Sequence, residues 1–556
     1  MEALDWLVIG VFFLALIGII VWVVRQKQND SADYFLGGRD ATWLAIGASI
    51  FASNIGSEHL IGLAGAGASS GMAMAHWEIQ GWMILILGWV FVPFYSRSMV
   101  YTMPEFLERR YNPQSRTILS VISLVSYVLT KVAVTVYAGG LVFQQVFGIK
   151  ELWGIDFFWI AAIGLVVLTA LYTIFGGMKS VLYTSVLQTP ILLLGSLIIL
   201  VLGFKELGGW DEMMRVCGAV TVNDYGDTMT NLIRSNDDAN FPWLGALIGS
   251  AIIGFWYWCT DQFIVQRVLS GKNEKEARRG TIFGAYLKLL PVFLFLIPGM
   301  IAFALHQKYI GAGGEGFLPM LANGTANADA AFPTLVAKLL PAGVKGLVVC
   351  GILAALMSSL ASLFNSSAML FTIDFYKRFR PETPEKKLVG IGQIATVVIV
   401  ILGILWIPIM RSVGDVLYTY LQDVQSVLAP GIAAAFLLGI CWKRTSAQGG
   451  MWGLIAGMVI GLTRLGAKVY YSNAGEVADS TFKYLFYDMN WLFFCGWMFL
   501  FCIIVVIVVS LATEAPTAEK IQGLVFGTAT KEQKAATRAS WDHWDIIHTA
   551  IILAIT

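Results

Sequence analysis

Apolar stretches of roughly 20 to 30 residues recur along the chain, separated by short polar connections that hold most of its charges. About 20 residues at 1.5 Å rise cross a hydrocarbon core, so each stretch predicts a membrane-spanning helix. Ten carry no charge: 6–24, 79–96, 157–178, 180–204, 239–260, 346–373, 388–410, 424–442, 445–463 and 489–513. Three more hold a single internal charge: 44–70 with Glu58, 117–147 with Lys131 and 280–306 with Lys288. Residues 546–556 are too short to cross and read as the start of a fourteenth, truncated helix. The polar stretch 514–545 reads as a connection.

The first stretch lacks a basic segment before it and a small-residue cleavage site after it, and Arg25 and Lys27 follow directly. It therefore reads as a signal anchor with its N-terminus outside, not as a cleaved leader. Alternating the spans from there puts 24 of the 37 Lys and Arg in inside connections and 10 outside, with Lys131, Lys288 and Arg464 within spans or at their edges. That skew satisfies the positive-inside rule, and the opposite orientation would violate it at nearly every loop.

Composition agrees with the pattern. Hydrophobic residues make up 57% of the 556 positions and charged ones 13%, with a mean hydropathy of +0.72. Soluble chains carry about a quarter charged residues, so this one cannot cover a surface with solvated groups. With 37 basic against 36 acidic residues there is no basic excess, which argues against a nucleic-acid partner. Cys217 is the single cysteine on the outer side, so no disulfide framework is readable. The five histidines (His59, His76, His306, His543 and His548) show no metal-ligand spacing, and no nucleophile–base set marks an intramembrane enzyme.

Polar residues inside spans are costly and are functional candidates by default. Ala52-Ser53-Asn54-Ile55-Gly56-Ser57-Glu58-His59 puts small and polar residues in mid-span. One reading is a broken helix whose freed carbonyls line a cavity. The other is a small-residue packing face continued by Gly62, Gly65 and Gly67. Ala355, Ser358 and Ser359 share a helix face at i, i+3 and i+4. They suit a hard cation that wants oxygen ligands, or hydroxyls bonding back to the preceding turn. Lys288 needs a partner, with Glu78, Asp261 and Glu58 the nearest carboxylates, and is either a ligand or half of a structural salt bridge. Lys131 and Arg464 read as snorkelling or structurally paired. Tyr257 and Trp258 either form an interfacial aromatic belt or wall a small-molecule site.

These residues together resemble a known family. Ser53-Asn54-Ile55-Gly56-Ser57-Glu58-His59, Gly62-Leu63-Ala64-Gly65 and Trp77-Glu78 resemble the first core helices of the sodium/glucose cotransporters within the sodium:solute symporter family. Gly176-Gly177-Met178-Lys179-Ser180, Trp256 to Gln262 with Val265-Gln266-Arg267, Tyr286-Leu287-Lys288-Leu289, Leu356 to Leu360, Phe364-Asn365-Ser366 and Leu421-Gln422 continue the match in order over nearly the whole chain.

The resemblance implies an all-α polytopic membrane protein of about fourteen transmembrane helices. Its core would be ten helices in two inverted five-helix repeats with broken first helices. The expected division is an N-terminal helix and linker (1–43), first repeat (44–204), external loop (205–241), second repeat (242–441) and C-terminal accessory helices (442–556). It also implies sodium-driven alternating access, with Na+ as coupling ion and no organic cofactor. Sodium would be held by the carbonyls of Ala52, Ile55 and Ala355 and the hydroxyls of Ser358 and Ser359. A neutral sugar would meet Asn54, His59, Glu78, Lys288 and Gln422, with Tyr257 as inner gate and Trp258 beside it, and Leu63, Trp77 and Tyr418 as outer gate.

Four positions bear on what is carried. Ser185 stands where sugar members commonly have an aspartate, Gly254 where they have Asn or Thr, and Gly81 where bacterial galactose carriers have a polar contact. His59 follows the animal glucose carriers. The expectation is a multi-pass symporter of the plasma membrane, or of the inner membrane in a bacterium, importing a glucose- or galactose-like hexose. The alternatives are myo-inositol, an amino acid or vitamin, and a non-transporting sensor or channel on the same scaffold.

Overall fold

In the computed structural model, described for residues 1–556 apart from 27–29, 57, 322–323, 414–416 and 474–477 and the side chains of 129–130, 409–413, 417–423 and 473, helices dominate. Among the described residues ten helices are long and apolar enough to span a membrane. Phe157–Leu207 counts as two spans, and three more are interrupted or shorter: Trp43–Asn54, the run from Pro113 to Phe147, and His543–Ile555. The order is that of fourteen spans, and the chain is an all-α multi-pass membrane protein with a ten-helix core of two inverted repeats.

Burial separates core from periphery. In Val344–Phe379, 89% of the most apolar window is enclosed by protein, and in Glu274–Gly311 83%, against 22% in Ala3–Val24 and 33% in Trp491–Ala512. The outer helices present Leu, Ile, Val and Phe outward, as lipid contact requires. The inner ones carry the polar side chains. Val344–Met369 packs along both legs of Phe157–Leu207 and against Trp43–Asn54.

Phe157–Leu207 is two spans joined without a loop. The chain reverses at Gly177 (φ 54°, ψ −149°), a conformation closed to side chains, and a Cβ there would collide with the Tyr34 carbonyl oxygen.

Two of the helix breaks bear on the site. Trp43–Asn54 ends where Ile55 turns extended (φ −78°, ψ 110°), and the helix resumes through a wide π-type turn at Glu58–Leu63. In the second repeat Trp243–Thr260 ends at Asp261 (φ −77°, ψ 126°), whose carboxylate caps the Phe263 amide of Gln262–Leu269. The break at Ile55 and Gly56 decides between the two readings of the small, polar stretch: it is a broken helix.

The stretch 514–545 differs from its reading as a plain connection. Lys531–Ala539 is an amphipathic helix closed by a reciprocal Thr530/Gln533 capping box.

Candidate functional site

The first break is held from across the core. Ser359 Oγ lies within hydrogen-bond reach of the Ser53 carbonyl at 2.9 Å and the Ile55 carbonyl at 3.1 Å, and Ser53 Oγ meets Ser362 Oγ at 2.6 Å. Gly56 makes this approach possible, since a Cβ there would lie 2.8 Å from Ser359 Oγ. Ser358, one residue earlier, has its Oγ 3.4 Å from Ser185 Oγ, whose own hydrogen goes to the Val181 carbonyl at 2.6 Å. Ala52 and Ala355 are buried on the same two elements. Hydroxyl and carbonyl oxygens thus converge at the break, a donor set suited to a hard cation.

The expected solute residues converge one step away. Asn54, His59, Glu78, Tyr257, Trp258 and Lys288 are all buried, and all line one cavity of about 40 Å³. That is room for a few waters, so admitting a larger solute requires its walls to separate. Lys288 Nζ donates to Glu78 Oε2 at 2.5 Å and to Asn54 Oδ1 at 3.2 Å. Asn54 Nδ2 in turn donates to the Tyr257 hydroxyl at 3.1 Å. His59 Nε2 stands 3.3 Å from Glu78 Oε2, and the Lys288 ammonium lies 5.4 Å from the Trp258 ring centroid. The partner Lys288 needs is therefore Glu78 rather than Asp261 or Glu58. Tyr257 and Trp258 wall the cavity and do not form an interfacial belt.

Of the expected outer gate, Trp77 lines the cavity and packs edge-on against Trp491 at 5.6 Å, whereas Leu63 is buried without lining it. The side chains of Tyr418 and Gln422 lie outside the described residues. Gln425, three positions after Gln422, reaches the cavity.

A second polar layer lies behind Tyr257. Lys131 Nζ pairs with Asp261 Oδ2 at 2.8 Å, and the Tyr127 hydroxyl donates to the other carboxylate oxygen while accepting from the Phe263 amide at 3.0 Å. The ammonium sits 4.8 Å from the Tyr257 ring centroid. Lys131 therefore pairs and does not snorkel. Its carboxylate is the residue at the break of the second repeat. A smaller cavity of about 20 Å³ in this layer shares Asn54, Glu58 and Tyr257 with the first, so Tyr257 stands between the two.

Gln80, Gln425 and the Lys131–Asp261 pair escaped the sequence reading. Lys131 and Asp261 are 130 positions apart, and Gln80 lies two residues beyond Glu78. A regular helix would aim residues at i and i+2 in different directions. Here Ile79 and Gln80 leave helical geometry (ψ 21° and 22°), so both Glu78 and Gln80 face the cavity.

The chain is similar to known proteins. The chain is 37% identical to the sodium/myo-inositol cotransporter 2 of Mus musculus over 95% of its length and 80% of the relative's. It is 35% identical to the sodium/glucose cotransporter 4 of Danio rerio over 97% of its length and 84% of the relative's. Its backbone is similar to that of a Na+-coupled sialic acid symporter in a substrate-bound outward-open state (TM-score 0.74, 22% identity, 93% of this chain and 99% of that one). The pattern of the Sodium:solute symporter family matches residues 34–457. With fourteen spans, two broken helices and that match, the chain is a sodium-coupled symporter belonging to the sodium:solute symporter family.

Proposed function

We propose that this symporter imports a neutral polyol of the hexose or inositol class together with sodium, by alternating access across the plasma membrane. The observation that carries the reading is the compensated polar set Glu78–Lys288–Asn54–Tyr257 in one buried cavity. Hydroxyl groups both donate and accept. The set supplies a carboxylate acceptor, an ammonium donor and a carboxamide that does both. Trp258 adds a flat apolar wall for the C–H face of a ring. The ammonium and carboxylate neutralise each other, which disfavours a solute with an unmatched charge. Glucose and myo-inositol, the solutes in the names of the two relatives, are both neutral polyols.

In this reading sodium binds the carbonyls of Ala52, Ile55 and Ala355 and the hydroxyls of Ser358 and Ser359. Tyr257 is the inner gate, Leu63, Trp77 and Tyr418 the outer one, and Gln422 a further solute contact. The repeats are 44–204 and 242–441. The test is uptake by the purified protein in liposomes under an inward sodium or potassium gradient, with labelled glucose, galactose, myo-inositol and proline. Sodium-dependent accumulation of a hexose or inositol is expected. Uptake indifferent to sodium, or confined to proline, overturns the reading.

A further inference from the structure

One wall of the solute cavity is built from a glycine and the side chain that fills the space beside it. Gln80 and Gly254 both line the cavity, on different helices. The Gln80 amide nitrogen donates to the Ser250 carbonyl at 3.0 Å. A carbonyl can only accept, so this bond assigns the amide orientation and turns Oε1 away from Ser250. Oε1 then lies 2.6 Å from where a Cβ on Gly254 would be, with Cδ at 3.0 Å. Gly254 is helical and needs no special backbone angle. What its missing side chain provides is room for the carboxamide. Gln80 itself is buried to 6% exposure, and the turn at Ile79 and Gln80 aims it to the same side as Glu78.

We infer that Gln80 is a specificity-determining solute contact, its carboxamide oxygen accepting a hydrogen bond from one hydroxyl of the polyol, with Gly254 as the residue that positions it. The inference rests on the polyol reading above. It adds to the ionic set a neutral acceptor, pinned by Ser250, at the Gly254 edge of the cavity. A neutral acceptor at a set place separates epimers, because moving or deleting the hydroxyl that meets it leaves the acceptor unmatched.

The test uses full-length protein in liposomes under a sodium gradient. The best transported polyol is the tracer, and glucose, galactose, deoxyglucoses, myo-inositol and scyllo-inositol compete. Gln80→Leu keeps the bulk and removes the acceptor. The half-saturating concentration of the preferred polyol should rise about three- to tenfold, as loss of one hydrogen bond implies. Preference among epimers should flatten, and half-saturating sodium should stay within about twofold.

Gly254→Ala leaves Gln80 in the sequence but displaces its amide, so it should flatten the same preferences. Combined with Gln80→Leu it should add nothing. An unchanged epimer ranking in Gln80→Leu overturns the inference, as does full additivity of the two substitutions. If Gln80→Leu is not recovered folded, the ranking in Gly254→Ala and in Gln80→Asn, which retracts the amide, decides by the same criterion. Absence of sodium-driven uptake of any polyol by the unsubstituted protein is a different result, and it removes the polyol reading itself.

Discussion

The Glu78–Lys288 pair provides a direct measure of what the site contains. Its side chains are 3% and 5% exposed and its charged atoms are 2.5 Å apart. Removing one member leaves the other charged, buried and unmatched, which costs about 3–5 kcal/mol. Lys288→Met also strips Asn54 Oδ1 of its donor, adding about 1 kcal/mol or more. Glu78→Gln leaves the Lys288 ammonium without its carboxylate. Replacing both residues removes both charges. The double variant Glu78→Gln/Lys288→Met should therefore be more stable than either single one, with a coupling energy of at least ~2 kcal/mol. Thermal unfolding in detergent, followed by tryptophan fluorescence, orders the four proteins. Uptake should not follow stability: the double variant should recover its melting temperature while staying deficient in transport. Costs that simply add would show that the two charges do not depend on each other. A double variant with undiminished polyol uptake would show that the pair supports the core and not the solute.

Two further outcomes test the proposed ion site at the first break and the loop that carries Asp329. Ser358→Ala and Ser359→Ala should each raise the sodium concentration for half-maximal uptake by roughly tenfold, if a lost ion–hydroxyl contact is comparable to a lost hydrogen bond to a charged group, and sodium dependence unchanged in both would remove these hydroxyls from the proposed ion site. Asp329, in the loop between Ile297–Gly311 and Val344–Met369, packs on Gly65 of the resumed helix, and burial pushes its carboxyl up to about 6 from the usual carboxylate value. A raised acid pKa means that the stabilisation is fully present below the unfolded value near 4 and is lost as pH rises through about 6. Amide exchange around Ala328–Ala331 should accordingly be slower at pH 5 than expected from its rate at pH 7.5, and Asp329→Asn should abolish that difference; an identical pH profile in the variant would assign it to another group.

How much of this the sequence discloses depends on whether the cause is local. Span lengths and the sidedness of Lys and Arg are local, and they lead to fourteen helices. The cluster Ala52 to His59 also marks its own break, because small and polar residues in hydrocarbon signal irregular backbone. The lone charge of Lys288 announces a need for a partner without naming it. Which carboxylate meets it depends on the packing of Glu274–Lys288 near the turn after Glu78, and periodicity does not encode that. Lys131 shows the same limit: its pairing with Asp261 follows from the second helix break. Gln80 was hidden for another reason, since a neutral residue two places after Glu78 faces the cavity only because the helix stops at Ile79. The helix Lys531–Ala539 was legible, through Thr530 and Gln533 at capping-box spacing, but hydropathy does not register it.

The proposed ion and solute sites meet at consecutive residues, and this has an energetic consequence. The Ile55 carbonyl contacts Ser359, while the Asn54 side chain joins Lys288 to Tyr257. A cation drawing the Ile55 carbonyl toward Ser358 and Ser359 must also constrain the backbone that carries Asn54. The carboxamide is then held for a solute before the solute arrives, and less ordering is left for solute binding to impose. Linkage makes the effect reciprocal: whatever factor sodium adds to solute affinity, solute adds to sodium affinity. Tyr257 extends the chain of contacts to the layer behind it, because its hydroxyl accepts from Asn54 while its ring packs beside the Lys131 ammonium. That ammonium is paired with Asp261 at the break of the opposite repeat. One asparagine and one tyrosine thus connect the two broken helices, so a change in ion occupancy at the first break would bear on Tyr257, the proposed gate at the second, without any long-range relay.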